Sequence, residues 1–281
     1  MMLPALKFPV QIDNMQDAIE SNIQRLHSFF GKLGSALIAY SGGVDSGLLA
    51  KTAYDALGEK ALAVTVDSPT VDASELAAAK ELAKEIGIRH IILRHDELKN
   101  PCFARNDPDR CYHCKKELLS VLKKAASDEG IDAVIEGTNA EEILGHRPGY
   151  KAIKEAGVYS PLAELGFRKK EIREMAGYLM LPNAQKPSMA CLSSRIPYGT
   201  RITKELLDRV SKAEAAVRSE APGVKQLRVR SLGELAVIEV LPGDFQMIAE
   251  KGRALSDELK ALGYKRVVLD LEGYLTGSMS R

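Results

Sequence analysis

Apolar residues in the first half of the chain occur in short runs, and the segments between those runs have the periodicity of amphipathic helices. The runs have the length and residue types of buried β-strands and cover residues 36–40, 61–66, 90–93 and 133–136. Between them, residues 16–32 and 73–86 show a helical pattern, and a further helical run ends near residue 126. This alternation predicts an α/β fold in which a parallel sheet carries helices on both faces.

The composition changes after Pro182, where turn residues precede a new set of elements. A helix is predicted near residues 203–220. Three strand-like runs follow it, at residues 226–230, 235–240 and 266–271. These elements predict a smaller C-terminal α/β domain. We therefore expect two domains, residues 1–185 and residues 186–281.

A glycine-containing segment, Ser41-Gly42-Gly43-Val44-Asp45-Ser46, lies where the first predicted strand gives way to a helix. The two glycines allow a tight turn, so that consecutive N–H groups and the positive end of the helix can face an anion. The serines add hydroxyl donors, and Asp45 supplies a carboxylate that could hold Mg²⁺ between phosphate oxygens. The alternative is that Asp45 or Ser46 only caps a helix behind a glycine turn.

This segment resembles the PP-loop of the ATP pyrophosphatases, a superfamily that includes NAD and GMP synthetases and tRNA thiolation enzymes. The resemblance implies that ATP is cleaved between its α and β phosphates and that an oxygen of a second substrate is adenylated. Open α/β sheets bind ligands at the carboxyl ends of their strands. The expected ATP-binding residues are therefore Ser41, Gly42, Gly43, Val44, Asp45, Ser46, Ser68, Gly137, Thr138 and Asn139.

The charge balance argues against a nucleic-acid or membrane partner. The chain has 281 residues, and 39 lysines and arginines against 38 aspartates and glutamates give a net charge of +1. No apolar run approaches a membrane span, and residues 1–14 lack the pattern of a secretory signal. We therefore expect a cytoplasmic protein whose four cysteines are thiols or metal ligands rather than disulfides.

The spacing of the cysteines points to a metal or cluster site. Cys111 and Cys114 form a C-x-x-C pair, the usual first half of a zinc or iron-sulfur site, but no second pair occurs. A four-ligand zinc site would need Cys191 and either Cys102 or His113. Three cysteines holding a 4Fe-4S cluster would instead leave one iron open to a ligand such as sulfide. A structural zinc clip and unligated buried thiols are the alternatives.

Several further segments are similar to those of the LarE family, and the similarity covers nearly the whole chain. They are residues 111–116 (CYHCKK), 136–140 (EGTNA), 147–149 (RPG), 191–199 (CLSSRIPYG), 228–230 (RVR) and 270–274 (DLEGY). LarE proteins are ATP-dependent sulfur transferases that build the nickel-pincer nucleotide of lactate racemase. The resemblance implies that the chain adenylates a carboxylate of pyridinium-3,5-biscarboxylic acid mononucleotide and converts it into a thiocarboxylate.

The resemblance also implies how sulfur is supplied. One branch of LarE sacrifices the sulfur of a single cysteine at the position of Cys191, whereas the other carries a 4Fe-4S cluster. Cys111 and Cys114 indicate the cluster branch, with Cys191 as the third ligand. The expected catalytic residues are Cys191, Asp45 and Lys115, of which Lys115 is the expected phosphate contact beside the cysteines.

Two arginines are expected to hold the phosphate of the mononucleotide. Arg228 and Arg230 lie on one face of a predicted strand, and guanidinium groups suit phosphate oxygens. On the pattern alone, the alternative is a solvated charged face. Leu275 departs from the family, which often has an arginine there, so a phosphate contact is missing or replaced. Three acidic residues match positions that can hold a divalent metal in the single-cysteine branch: Glu214, Glu239 and Asp244.

The resemblance implies ATP, Mg²⁺ and a 4Fe-4S cluster as cofactors, a small-molecule nucleotide as the substrate, and sulfide or a sulfur-donor protein as a partner. We also expect a homo-oligomer. Two alternatives share the PP-loop. A tRNA thiolation enzyme usually carries extra zinc-binding C-x-x-C pairs or an RNA-binding module, and neither is found in this sequence. The other alternative is an amide-forming synthetase with a structural zinc clip.

Overall fold

The computed structural model describes residues 11–144 and 148–275. The expectations for Arg147 and for residues 1–10 lie outside this part of the chain. The α-helices within it are α1 (Gln11–Gly31), α2 (Val44–Leu57), α3 (Ala73–Ile86), α4 (Pro101–Ala104), α5 (Arg110–Asp128), α6 (Pro148–Ala156), α7 (Pro161–Glu164), α8 (Lys169–Tyr178), α9 (Lys204–Glu220), α10 (Phe245–Glu250) and α11 (Gly252–Ala261). None of these helices combines the length and the apolar character that crossing a membrane requires.

The strands of the described residues form two sheets. They are β1 (Ala36–Ala39), β2 (Ala61–Asp67), β3 (Arg89–Arg94), β4 (Val134–Ile135), β5 (Leu227–Leu232), β6 (Leu235–Val240) and β7 (Arg266–Leu269). The first sheet has the order β3-β2-β1-β4, and β1 pairs in parallel with both β2 and β4. The predicted α/β fold with a parallel sheet is thus confirmed.

The edge strand β4 is shorter than the sequence pattern suggested. It has two residues, and a parallel bridge from Ile135 to Tyr159 lengthens the pairing beyond it. The backbone N–H of Glu136 donates to the carbonyl of Tyr159 at 2.9 Å. A later segment therefore completes the edge of the sheet and fixes the direction in which the chain leaves β4.

Both faces of the first sheet are covered. Successive side chains of a strand point to opposite faces. Ala36 and Ile38 of β1 belong to an apolar core that also includes side chains of α1, α2, α3 and α8. Leu37 between them is equally buried on the other face. Burial on both sides is typical of parallel sheets that carry helices on both faces.

The chain forms two compact units. The described residues of the first unit fall within 1–65, 77–93 and 119–186, and those of the second within 66–76, 94–118 and 187–281. The expected division into residues 1–185 and 186–281 stays a prediction. The units differ from it because two segments of the N-terminal half belong to the second unit.

The second unit contains a three-stranded sheet of order β5-β6-β7. A two-residue turn joins β5 and β6 as an antiparallel hairpin, and Gly233 provides the positive φ of +65° that such tight turns favour. Strand β7 returns in parallel to β6 after α10 and α11. One face of this sheet packs on α9, α10 and α11 through a core that includes Val217, Ile238 and Leu259.

A separate apolar cluster in the second unit joins α4 to α9. We call it the α4–α9 core; its buried members are Phe103, Leu192, Ile196, Ile202, Leu207 and Val210. Cys114 packs against this cluster. The segment that follows Cys191 is therefore held by apolar burial on the same cluster that α5 touches.

Candidate functional site

The phosphate loop, residues 41–46, connects β1 to α2 in the first unit. Gly42 has φ +71°, and a Cβ at this position would lie 2.8 Å from Cα and Cβ of Ala79 in α3. Glycine is required here both for the left-handed backbone and for the close approach of the two segments. Asn183 Nδ2 donates to the Gly42 carbonyl at 3.2 Å and holds the turn from the other side.

The start of α2 leaves backbone N–H donors without partners inside the helix. Its N-cap is Gly43, and no side chain caps it, so the interpretation of Asp45 or Ser46 as mere helix caps is wrong. The first intrahelical bond runs from Gly47 N to Gly43 O at 2.8 Å. The N–H groups of the preceding three residues have no partner within the helix, and such groups bind anions at helix N-termini. Val44 is buried and anchors this turn in the core.

The two serine hydroxyls order the loop. The backbone N–H of Ser41 donates to Ser46 Oγ at 3.2 Å, and the two hydroxyl oxygens lie 3.2 Å apart. Ser46 Oγ also donates to the Gly43 carbonyl at 3.3 Å. Hydrogen bonds among Ser41, Gly43 and Ser46 thus add to the contacts that Asn183 and the core make with this loop.

Asp45 is the charged centre of this loop. Its carboxylate accepts hydrogen bonds from the Lys169 ammonium and from Asn139 Nδ2, the latter at 3.5 Å. The side chains of Asp45 and Lys169 are about a fifth and a quarter exposed, 21% and 27%. A partly exposed carboxylate with an amide and an ammonium beside it can bind a hydrated Mg²⁺ and phosphate oxygens.

The segment after β4 meets the loop as expected. A Cβ on Gly137 would lie 3.4 Å from Asp45 Cβ and 3.5 Å from Ser46 N, so the two backbones approach closely. Thr138 donates through its N–H at 3.0 Å and through Oγ1 at 2.8 Å to the buried carboxylate of Glu136. The structure thus brings residues 41–46 and 137–139 together in the first unit. Their roles in ATP binding stay predictions.

Sequence reasoning missed two residues of this neighbourhood, Lys169 and Asn183. Lys169 is the first residue of α8, and the basic run Arg168-Lys169-Lys170 after an apolar residue was the available signal. Asn183 contacts Gly42, and its Oδ1 is buried without a hydrogen-bond partner among the described residues. Nothing in the local pattern around Asn183 indicates that contact.

Ser68 follows β2 but belongs to the second unit. Its hydroxyl donates to Glu97 Oε1 at 2.9 Å, and Thr70 donates to the same oxygen. Glu97 is 3% exposed, and its Oε2 has no hydrogen-bond partner within the described ranges. The role of Ser68 as an ATP contact stays a prediction.

The three predicted cluster ligands lie in the second unit. Cys111 lies in the first turn of α5 and Cys114 begins the next turn, and a spacing of three residues places both on one helix face. Cys191 precedes a 3-10 turn over Leu192–Arg195. Cys111 and Cys191 are exposed, so their interpretation as buried apolar residues is wrong. Across residues 11–144 and 148–275, no three His, Cys, Asp or Glu side chains are arranged to hold a metal ion.

The pKa of Cys114 is affected by both of the other two predicted ligands. Burial raises the pKa of the Cys114 thiol to about 12, and the nearby Cys191, Glu97 and Cys111 add to the rise. Lys115 acts in the opposite direction, since its positive charge favours the thiolate. Cys111, Cys191 and Lys115 therefore all lie within electrostatic range of Cys114.

Buried arginines surround the segment that carries Cys191. Arg195 is fully buried and forms a bidentate pair with Glu214 of α9, with N–O distances of 2.7 and 3.0 Å. Its Nη1 donates to the carbonyls of Ala190 at 2.6 Å and Cys191 at 3.0 Å. The backbone at Cys191 is thus tied to a buried ion pair.

The two arginines of β5 are also buried, so the interpretation of a solvated charged face is wrong. Arg230 pairs with Glu239 at 2.9 and 2.7 Å, and its Nη1 donates to the Ser194 carbonyl at 2.8 Å. Arg228 donates to the Ser188 carbonyl at 3.1 Å and lies 5.3 Å from the centre of the Tyr274 ring. Two of the three acidic residues noted in the sequence, those on α9 and β6, therefore serve as partners of arginines.

The charge of Arg228 is balanced less directly than that of its neighbours. Burial lowers the pKa of its guanidinium, and Arg195 and Arg230 lower it further. Its hydrogen bonds go to the carbonyls of Leu227 and Ser188 and to the sulfur of Met189. Tyr274 and Glu214 act in the opposite direction and favour the charged guanidinium.

Comparison with known proteins agrees with the phosphate loop. The model of the asparagine synthase family matches residues 19–190, which is more than half of the chain. The chain is 36% identical over 86% of its length to the pyridinium-3,5-bisthiocarboxylic acid mononucleotide synthase of Lactiplantibacillus plantarum, and covers 88% of that protein. The chain belongs to the LarE family. This LarE protein is a sulfurtransferase that uses the PP-loop fold for ATP chemistry.

Two other relatives place the LarE chain in a wider group. It is 44% identical over 94% of its length to the uncharacterized protein slr1717 of Synechocystis, covering 98% of that protein. It is 29% identical over 67% of its length to one subunit of a glutamine-hydrolyzing GMP synthase from Archaeoglobus fulgidus, covering 66% of that subunit. The predicted family and enzyme class are thus confirmed.

The close approach at Gly42 yields a prediction with a matched control. Gly42→Ala should weaken ATP binding about tenfold or more, because the added methyl group has to displace the backbone of α3. Gly34 has a similar φ of +75°, but nothing lies within 4 Å of the position that a methyl group would take there. Gly34→Ala should therefore cost about 1–2 kcal/mol of stability and leave ATP affinity unchanged.

Calorimetric titration with ATP and thermal unfolding of both variants make the comparison. Equal ATP affinities in the two variants would contradict a phosphate-binding role of this turn.

Proposed function

We propose that this LarE protein converts a carboxylate of pyridinium-3,5-biscarboxylic acid mononucleotide into a thiocarboxylate. The carboxylate oxygen attacks the α-phosphorus of ATP, and the bond to the β-phosphate oxygen breaks to release pyrophosphate. Sulfide then attacks the acyl carbon, and AMP leaves with the oxygen that was adenylated. The observation that carries this proposal is the loop of residues 41–46, in which Asp45 lies beside Lys169 and Asn139.

The phosphate loop supplies the groups that ATP cleavage needs. The N–H groups at the start of α2 and the hydroxyls of Ser41 and Ser46 donate to the phosphates, and Gly42 and Gly43 let the nucleotide approach the backbone. Lys169 can transfer its contact from Asp45 to a phosphate oxygen. Mg²⁺ held by Asp45 would neutralise the charge that develops as pyrophosphate leaves. Gly137, Thr138 and Asn139 complete this part of the proposal, together with Ser68.

Cys111, Cys114 and Cys191 are the residues that would hold the 4Fe-4S cluster. Thiolates suit iron-sulfur clusters, and the three sulfurs belong to one unit of the fold. The cluster would present the sulfide that is transferred. With Cys111 and Cys114 as the other two ligands, Cys191 would be a ligand rather than a consumed sulfur donor. Lys115, which acts electrostatically on Cys114, would contact a phosphate beside the cysteines.

Arg228 is the stronger of the two candidates for the mononucleotide phosphate. Arg230 already forms an ion pair with Glu239, so we propose that its role is mainly structural. Arg228 bonds to carbonyl oxygens and a sulfur, and a phosphate could complete its charge balance. Leu275, where the family often has an arginine, follows Tyr274, whose ring lies over Arg228. We infer that Arg228 carries more of the phosphate binding in this chain.

The remaining expectations belong to the same proposal. Sulfide or a sulfur-donor protein would resupply the sulfur, the protein would work in the cytoplasm, and it would form a homo-oligomer. The two alternatives, tRNA thiolation and amide formation, share the adenylation step. The acceptor that is consumed and the product that is formed distinguish these two reactions from the proposed one.

The first test concerns the nucleotide products. With ATP, Mg²⁺, sulfide and the pyridinium mononucleotide, the protein should release AMP and pyrophosphate. Asp45→Asn should lower turnover on the order of 10²-fold or more, because a preorganised metal contact to developing charge is lost. Asp55→Asn is the matched control on the same helix, since Asp55 pairs with Lys51 one turn away and should keep normal turnover.

Chromatography of the nucleotides makes this measurement. ADP as the main product, or equal turnover in the two aspartate variants, would refute the proposed ATP chemistry.

The second test concerns the cysteines. After anaerobic reconstitution, the protein should hold about four irons per chain and show broad visible absorption. Alanine at Cys111, Cys114 or Cys191 should abolish both the cluster and thiocarboxylate formation. Cys102→Ala is the control and should retain both. Bound zinc without iron would support a zinc clip, and dehydroalanine at Cys191 after one turnover would support a sacrificial sulfur.

The third test concerns the mononucleotide phosphate. Arg228→Met should weaken binding of the mononucleotide by about 1.5–3 kcal/mol and leave ATP affinity unchanged, since a charge-assisted hydrogen bond is lost. Arg209→Met is the control, because Arg209 lies over the ring of Tyr264 at 4.4 Å much as Arg228 lies over Tyr274. Calorimetry with the mononucleotide compares them. Equal weakening in both variants would show that Arg228 contributes only packing.

A further inference from the structure

Asn106 lies in the turn between α4 and α5, five positions before Cys111. It is fully buried, and its φ is +65°. A positive φ is uncommon for residues other than glycine, although asparagine tolerates it better than most. A buried polar residue in such a conformation persists only where the surrounding structure holds it.

Both the nitrogen and the oxygen of the Asn106 side-chain amide form hydrogen bonds. Its Nδ2 donates to the carbonyl of Pro197 at 2.7 Å and to the carbonyl of Thr200 at 2.8 Å. Its Oδ1 accepts a hydrogen bond from Nη1 of Arg110, the residue directly before Cys111. One side chain therefore connects the start of α5 with the turn that follows the Cys191 segment.

The backbone repeats this connection. Gly199 N donates to the Asn106 carbonyl at 3.1 Å, and Ile202 N donates to the Ala104 carbonyl at 2.8 Å. The guanidinium of Arg110 lies 4.6 Å from the centre of the Tyr198 ring. Residues 104–110 and residues 197–202 are thus joined by hydrogen bonds and a cation–π contact.

Apolar packing fixes the same two segments nearer to the sulfurs. Leu192, next to Cys191, and Ile196 belong to the α4–α9 core, against which Cys114 packs. Leu192 N also donates to the Thr70 carbonyl at 3.0 Å. The two cysteine-bearing segments, distant in sequence, are therefore held together by the core at one end and by Asn106 at the other.

We propose that Asn106 is a positioning residue that sets the segment carrying Cys191 against the helix turn carrying Cys111 and Cys114. The inference rests on the proposed function only for the identity of what the three thiolates bind. Residues that orient ligands without touching the bound group contribute about 10–100-fold to metal affinity. Loss of the amide should leave the cysteines present but their mutual placement loose.

Two substitutions of Asn106 distinguish the contribution of its side-chain hydrogen bonds from that of its backbone conformation. Asn106→Gly keeps the positive φ and removes all side-chain hydrogen bonds. Asn106→Asp keeps an acceptor for Arg110 but turns a carboxylate oxygen toward the carbonyls of Pro197 and Thr200. Both variants should therefore weaken the cysteine site while the backbone conformation stays accessible.

The test measures the three sulfurs without iron. Reduced, iron-free full-length protein carrying Cys102→Ser is titrated with arsenite, which forms three As–S bonds with three thiols and releases three waters. Ultraviolet absorption follows the binding. Asn106→Gly and Asn106→Asp should each weaken arsenite binding about 10–100-fold. Leu259→Ala, in the separate core of the C-terminal sheet, should lower the unfolding temperature but leave arsenite affinity unchanged.

The outcomes distinguish this inference from the proposed function. If the parent assembles no iron cluster while arsenite binding still depends on Asn106, the cluster proposal falls and the positioning role stands. If Asn106→Gly binds arsenite as tightly as the parent, or if Leu259→Ala weakens binding equally, the positioning role is wrong.

A milder variant covers the case in which the Asn106 variants do not fold. Tyr198 is partly exposed, and Tyr198→Leu removes the ring that contacts Arg110. It should weaken arsenite binding about threefold, the size expected for an exposed cation–π contact. Unchanged affinity in a folded Tyr198→Leu protein would overturn the inference.

Discussion

A buried guanidinium needs acceptors for its charge, and this requirement organises the second unit around Cys191. Arg195 joins the backbone carbonyls at Ala190 and Cys191 to Glu214 of α9, and Arg230 joins the Ser194 carbonyl to Glu239 of β6. Removal of one partner of such a pair typically costs about 3–5 kcal/mol. Besides the apolar burial of Leu192 and Ile196, the backbone around Cys191 is therefore fixed by charges on distant elements.

The phosphate loop illustrates what can be predicted from sequence. Its residues are consecutive, and the chemistry depends on glycines, hydroxyls and a carboxylate in one short segment between a strand and a helix. Apolar periodicity predicts the strands on either side for the same local reason. These features need no knowledge of what packs nearby, and the parallel sheet was predicted correctly.

Contacts made across the fold could not be predicted in this way. Lys169 contacts Asp45 across 124 positions of sequence, and Asn106 contacts Pro197 across 91 positions. The pattern of β5 placed its two arginines on one face but could not reveal which carboxylates of α9 and β6 lie near them. Partner choice in a buried charge network depends on tertiary structure, whereas alternation along a strand does not.

In the phosphate loop, the Asp45 carboxylate already has a counter-ion, the Lys169 ammonium. A free divalent cation has to compete with an ammonium that already neutralises the carboxylate. In the proposed ATP site, a metal ion that arrives with a nucleotide would offer that ammonium a phosphate oxygen in exchange, so the total charge at the loop would stay balanced. The Lys169–Asp45 pair would therefore favour the metal–nucleotide complex over the bare metal ion, because the pair is formed before any substrate binds.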